Sequence, residues 1–197
     1  MSSEVKANKW SPGTGVAGTL GDSGDTFTVP SGATLVVASG ATVTNSGTAT
    51  GFGGDNTPSF HASKSATQSL PSGTWTKVEL DAEEWDSDSA FDSSTNYRFT
   101  VPSGEGGKYI FHFGSGVPLI DADQYFQLGL YKNGAQLGTF HLDYSPTSNK
   151  TLYFNSSFSA NLSETDYIEL YAKQNQADPH DLVTAYTYLS GFKLVGV

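Results

Sequence analysis

The chain has 197 residues, a formal net charge of −10, 22 glycines, 10 tyrosines, 12 phenylalanines and no cysteine. Without cysteine there is no disulfide frame, no thiolate metal site and no cysteine nucleophile. The acidic balance leaves no basic patch to neutralise phosphates, so nucleic acid is not an expected partner. No run reaches the apolar length of a membrane span, and Met1-Ser2-Ser3-Glu4 lacks the basic-then-apolar order of a signal peptide, so neither membrane insertion nor a leader is expected.

Abundant Gly, Ser, Thr, Tyr and Phe describe a β-rich chain with many turns. Residues 1–57 differ in texture from the rest of the chain. Trp10 precedes a turn-rich Ser11-Pro12-Gly13-Thr14-Gly15, and then a short repeat begins. Phe27-Thr28-Val29-Pro30-Ser31-Gly32-Ala33-Thr34 aligns with Leu35-Val36-Val37-Ala38-Ser39-Gly40-Ala41-Thr42, and a degenerate third copy starts at Val43. Each unit reads as a three- or four-residue strand closed by Ser-Gly. So short a unit cannot bury its own apolar face and must stack on its neighbours or on copies in other chains. The expectation is an intertwined β-stalk or docking arm carried by Trp10, Phe27, Val29, Leu35, Val37 and Val43; the alternative is a flexible linker.

Gly51-Phe52-Gly53-Gly54-Asp55-Asn56-Thr57-Pro58 marks a junction. From residue 58 to 197 the texture changes to longer strands, expected at 59–66, 75–80, 97–101, 108–114, 125–132, 136–143, 151–162, 167–173 and 186–194. Many strands joined by short turns predict an antiparallel sandwich or barrel, and no window carries a helical period. Asp81-Ala82-Glu83-Glu84-Trp85-Asp86-Ser87-Asp88-Ser89-Ala90-Phe91-Asp92 is the densest acidic stretch. It reads as a solvated loop anchored by Trp85 and Phe91. A loose calcium site is the alternative, although the EF-hand glycine is missing, since Phe91 stands where it would be.

At the centre, Phe99 and Val101 share one face of a strand that Pro102 ends. Gly104, Gly106 and Gly107 turn the corner, and Tyr109, Phe111 and Phe113 share a face of the next strand. Asn133-Gly134 is a two-residue hairpin signal. The aromatics beyond Tyr125 exceed what one core needs, so alternation sends some outward. Outward aromatics on a sheet suit a desolvated subunit interface, and Tyr131, Tyr153, Tyr171 and Tyr188 are the candidates; a sugar-stacking surface is the alternative. Segments 117–124, 145–150 and 174–183 are candidate recognition loops. No carboxylate pair sits in a glycosidase motif, no Gly-x-Ser-x-Gly elbow is present, and His61, His112 and His141 fall in strands, so no catalytic residue is assigned.

Phe-x-Val-Pro-x-x-Gly followed by Gly-x-Tyr-x-Phe resembles the central signature of the complement globular-head and tumour-necrosis-factor-like family. Phe60-x-Ala62, Leu130-Tyr131-Lys132-Asn133-Gly134, Asp166-Tyr167-Ile168-Glu169-Leu170 and Ser190-Gly191-Phe192-Lys193-Leu194 keep the family's order over residues 58–197. The signature positions are Phe99, Val101, Pro102, Gly107, Tyr109, Phe111, Gly191 and Phe192. The resemblance implies an all-β jelly-roll sandwich assembling as a homotrimer, with outward aromatics meeting at the three-fold axis. The front segment, and the run Asn45-Ser46-Gly47-Thr48-Ala49-Thr50-Gly51-Phe52-Gly53, resembles structural proteins of marine tailed bacteriophages. That implies a virion appendage assembled in the host bacterial cytoplasm: a non-enzymatic tail or head fibre whose N-terminal arm contacts other virion proteins and whose head meets a host glycan or protein. A capsid decoration protein, a polysaccharide-acting enzyme and a lectin-like module are the alternative readings. No cofactor is expected, a calcium ion apart.

Overall fold

The computed structural model describes residues 23–44, 46 and 56–194, without the side chains of 139–143. The chain divides into two units, Met1–Thr50 and Gly51–Val197. Trp10 lies outside the described residues.

In the first unit, residues 23–44 form no strand ladder, and all of them are exposed. A ladder needs a second backbone alongside, and within the described residues none is supplied. Extended segments are instead joined by turns in which the Ala33 amide donates to Pro30 O and the Ala41 amide to Ala38 O, each at 3.0 Å. Gly24, Gly32 and Gly40 take φ of +96°, +82° and +83°, the left-handed region that favours glycine. The Ser-Gly units are thus turns at a fixed spacing, and the short strands expected between them lack partners among the described residues.

In the second unit the strands are β1 Ser59–Ser63, β2 Ser69–Leu70, β3 Thr76–Lys77, β4 Ala82–Asp86, β5 Phe91–Asp92, β6 Arg98–Thr100, β7 Gly107–Ile120, β8 Tyr125–Lys132, β9 Ala135–Tyr144, β10 Lys150–Leu162, β11 Tyr167–Gln174, β12 His180–Asp181 and β13 Tyr188–Lys193. They pair into a five-stranded sheet, β10-β7-β13-β1-β4, and a six-stranded sheet that runs β5-β6-β11-β8-β9, with β3 added beside β11. A small β12-β2 pair stands apart. Every ladder is antiparallel. The helical content among the described residues is one 3₁₀ turn, Thr184–Tyr186.

The core lies between the sheets because inward positions alternate on facing strands. Phe60 and Ala62 of β1, Phe99 of β6, Tyr109, Phe111 and Phe113 of β7, Phe126, Leu128 and Leu130 of β8, and Ile168 and Leu170 of β11 are buried. Phe60 stacks on Phe99 at 4.9 Å and on Phe91 at 5.1 Å. Fully burying one such side chain contributes about 1.5–3 kcal/mol. The central corner closes where Tyr109 Oη donates to Glu105 O at 2.6 Å. Its glycines divide the work, since Gly104 has φ +80° and Gly107 +152° while Gly106 has no positive φ. Asn133 and Gly134 take φ of +53° and +77° and join β8 to β9, as their pairing predicts.

Four expectations are corrected. The acidic stretch is not one loop. Ala82–Asp86 is an edge strand against β1 and Phe91–Asp92 pairs with β6. Phe91 is a core residue, whereas Trp85 is 49% exposed and anchors nothing inward. The strand expected at 108–114 runs on to Ile120, which takes Val117 and Ile120 into the core and leaves only a turn at 121–124 as a loop. The strand expected over 75–80 shrinks to Thr76–Lys77. The last strand starts at Tyr188, because Thr187 Oγ1 donates to Val183 O at 2.8 Å and closes the 3₁₀ turn before it.

Candidate subunit interface

Alternation fixes what the five-stranded sheet shows to solvent. With Phe60, Phe111, Phe113, Phe154 and Leu189 turned inward, the outward positions fall to His61, Ile110, His112, Tyr153, Asn155, Tyr188 and Phe192. Edge strand β4 adds Trp85. The rings gather in three groups on this face. His61 lies 5.1 Å from Trp85 and stacks on Tyr188 at 5.5 Å. His112 faces Phe192 at 6.4 Å, and Tyr153 meets Tyr186 edge-on at 4.8 Å. Tyr188 Oη donates to Asn155 Oδ1 at 3.2 Å.

Two glycines of β7 make this layer lie flat. A Cβ on Gly114 would come 2.2 Å from Asn155 Oδ1 and 2.8 Å from Tyr188 Cε1; one on Gly116 would come 2.6 Å from Tyr153 Cδ1. Tyr188 and Tyr153 therefore lie across β7 instead of standing off it. Between the strands the sheet offers aromatic, imidazole, hydroxyl and amide groups. Lys108 sits at its end, and Glu84, 3.9 Å from His61, on its edge. Trp85, Tyr153 and Tyr186 are each about half exposed. Wide aromatic area with its charges at the edge is the composition of an interface core.

The outer side of the six-stranded sheet is also aromatic but differently finished. Tyr131 and Tyr171 stack on each other at 3.9 Å, and Trp75 meets Tyr131 edge-on at 6.2 Å. Trp75 lies over Gly129, where a Cβ would come 3.2 Å from Cζ3 and Cη2. Burial raises the phenol pKa of both Tyr131 and Tyr171, with Tyr131 adding its proximity to Tyr171 and Tyr171 its proximity to Glu169. Buried Glu169 is paired with Lys77 at 2.5 Å, and Arg98 sits 4.0 Å over the Tyr167 ring. The four candidate tyrosines thus do not share a face. Tyr153 and Tyr188 belong to the five-stranded sheet, Tyr131 and Tyr171 to the six-stranded one. Trp85, His61 and Tyr186 complete the first group, and none of them is an interface candidate on sequence grounds alone. A signal exists for His61, one residue from Phe60 and therefore of opposite parity.

The signature residues share out differently too. Phe99, Val101, Tyr109 and Phe111 are core, while Phe192 points outward against His112. Gly191 is the inward member of the last strand: a Cβ there would come 2.6 Å from Phe111 Cδ1 and 3.0 Å from Phe60 Cε1.

Several carboxylates are held by backbone amides, Asn or lysine. Asp86 Oδ2 accepts from the Phe91 amide at 2.8 Å and its Oδ1 from the Ala90 amide at 3.1 Å. Asp92 accepts from the Thr95 amide at 2.9 Å, the Asn96 side chain at 2.7 Å and the Ser94 amide at 3.0 Å, which hold it far below the usual carboxylate range. Lys132 lies 2.7 Å from Asp166, and with the Asn133 side chain and the Ser163 amide it lowers that group to about 2. Among the described residues no three His, Asp or Glu side chains gather as a metal-binding group. His180 Nδ1 lies 3.1 Å from Pro118 O. His141 falls among the undescribed side chains.

The two-sheet sandwich matches solved structures. The globular domain of zebrafish complement 1qA superposes with a TM-score of 0.51 at 18% identity, covering 70% of this chain and 97% of that one. The head is a jelly roll of this type. Murine APRIL aligns with a TM-score of 0.50 at 14% identity, covering 69% of this chain and 98% of that one. No family model matches the chain and no curated protein does. At these identities the likeness concerns the fold of the jelly-roll head.

Proposed function

We propose that the chain is a non-enzymatic structural protein of a bacteriophage virion. In this reading it forms a homotrimeric fibre whose jelly-roll head projects outward to bind a host surface glycan or protein. The observation that carries it is the outer face of the five-stranded sheet. Trp85, His61 and Tyr188 form one ring group there and Tyr153 and Tyr186 another, and the single chain leaves Trp85, Tyr153 and Tyr186 about half exposed. Three copies around an axis cover such a layer without leaving an edge, because a closed ring joins one side of each copy's face to the other side of the next. The carboxylates point the same way. Asp86, Asp92, Asp166 and Glu169 are engaged with amides, Asn or Lys, which suits a binding scaffold better than an acid–base pair.

The virion assignment draws on the front segment and on the run from Asn45 to Gly53. Recognition falls to the loops at the end of the head remote from Ser59, foremost 145–149, which are exposed except at Ser145. Two measurements test the reading. The mass of the full chain in solution is expected to be that of three copies, and a mass of one copy overturns the trimer. A label against residues 58–197 on intact particles is expected at the tail. Label scattered over the capsid makes the protein a head fibre or decoration, and no label on any particle overturns the virion role.

A further inference from the structure

We propose that residues 26–44 of the arm pack against the same residues of other copies of this chain, parallel and in register. The turn that recurs every eight residues acts as the ruler of that packing. The inference rests on the trimeric reading above, and it concerns a surface that the head does not contain.

The first support is the repeat as a geometric object. Gly24, Gly32 and Gly40 stand eight residues apart with nearly the same φ, and the turns at Pro30–Ala33 and Ala38–Ala41 close with the same bond at the same length. Every unit therefore advances the chain in the same way. Phe27, Leu35 and Val43 occupy one equivalent position in successive units, and Val29 and Val37 another. A second copy of this chain carries the same rows at the same spacing, which a partner of unrelated sequence would not.

The second support is that these rows are uncovered. Phe27 is 71% exposed, Leu35 68% and Val36 79%, and no described residue of the arm is buried. The extended segments between the turns form no ladder among the described residues, so their backbone groups are open to a neighbour's strand.

The third support is charge. Charged side chains make up 15% of the chain, yet residues 26–54 contain no Asp, Glu, Lys, Arg or His. Parallel in-register packing is the arrangement that forbids charge, because every side chain then faces its own copy and each charge would meet a like charge. Small hydroxyl residues and alanine fill the remaining positions and repeat harmlessly.

The absence of cysteine makes the test direct. Full-length Val29→Cys, Leu35→Cys, Val37→Cys and Val43→Cys are oxidised separately and run on non-reducing gels, with solution mass read in parallel. In a three-chain bundle two thiols pair and one is left over. Roughly two thirds of each variant should then run as a covalent dimer, the proportion closed three-fold symmetry dictates. Thr147→Cys, on an exposed head loop, should stay monomeric on the gel. Co-expressed Val29→Cys and Val37→Cys, tagged differently, should give no disulfide between the two variants. A 29-to-37 bond would show a slip of one unit and overturn the register. A mass of three copies with no cross-link at any of the four positions overturns this inference and leaves the trimeric head standing. A mass of one copy overturns both.

Discussion

The two outer faces of the sandwich are built from the same kinds of side chain but cover their central rings differently. On the six-stranded sheet Trp75 is laid over Gly129, Tyr131 and Tyr171 stack at 3.9 Å, and Lys77 neutralises Glu169. On the five-stranded sheet Trp85 is tilted against His61 at 5.1 Å, Tyr153 meets Tyr186 edge-on at 4.8 Å, and all three of Trp85, Tyr153 and Tyr186 remain about half exposed. At Trp75, Tyr131 and Tyr171 the first face is covered within the chain, although Tyr144 at its β9 edge stays 53% exposed; the second face is the one the proposed trimer covers. Counting aromatics therefore does not locate an interface. What separates the faces is whether a local partner, a crossing residue or an ion pair already covers the ring.

The sharpest way to break this comparison is to charge each face in turn. Trp85→Asp with Tyr153→Asp is expected to lower the solution mass threefold while circular dichroism keeps its β signature. The mirror change, Trp75→Asp, is expected to leave the mass at three copies and lower the denaturant midpoint. If Trp75→Asp dissociates the assembly and the Trp85 pair does not, the faces have been assigned the wrong way round. The core between them sets the scale: Phe111→Ala, at a fully buried side chain, should cost about 3–5 kcal/mol in denaturant unfolding.

A smaller effect sharpens the claim that the centre of the six-stranded face is covered within the chain. Lys77→Met leaves the Glu169 carboxylate buried without its ammonium, and should cost about 1–3 kcal/mol. Lys77→Arg should recover most of it if charge is what matters. The smallest effect is in pH. Asp166 is held at about 2, below its unfolded value, by Lys132, Asn133 and Ser163. Its contribution is present above the unfolded carboxylate pKa of about 4 and is lost as pH falls through about 2. Wild type should therefore exceed Asp166→Asn in stability at pH 5, with the gap closing between about pH 4 and 2. A gap that persists unchanged to about pH 2 would show that the ion pair is not its source.

Much of the head was legible because parity is local. Phe99, Val101, Tyr109, Phe111 and Phe113 face inward as their alternation requires, and the β8 bounds match the expected 125–132. Gly114, Ser115 and Gly116 mislead for a physical reason. Small residues in sequence read as a strand end, but here Gly114 and Gly116 are the places where Tyr188, Asn155 and Tyr153 cross a strand that continues, and Ser115 turns inward to Thr187 Oγ1 at 2.8 Å. The acidic stretch hides a strand because Ala82–Asp86 is an edge with little buried on either side, so no alternation marks it. The site was half legible. Period two says that Tyr131 and Tyr153 point away from the core. It does not say which sheet each belongs to, since that depends on pairings such as β10 with β7 and β11 with β8, between segments far apart in the chain.

β1 and β13 run side by side, with Ser59 opposite Phe192 and the Lys193 amide donating to Pro58 O at 3.1 Å. The strand that opens the second unit therefore lies between two neighbours, and the loop at 145–149, exposed except at Ser145, sits at the far end of the same sheet, where β10 begins. A pull between Ser59 and that loop acts along the strands. The five residue pairs that β1 makes with β13 must then slide together and cannot open one by one like a zipper. Such a head should hold far longer under tension than its equilibrium stability alone suggests, since forced unfolding is governed by the barrier crossed and not by the free energy of the unfolded state.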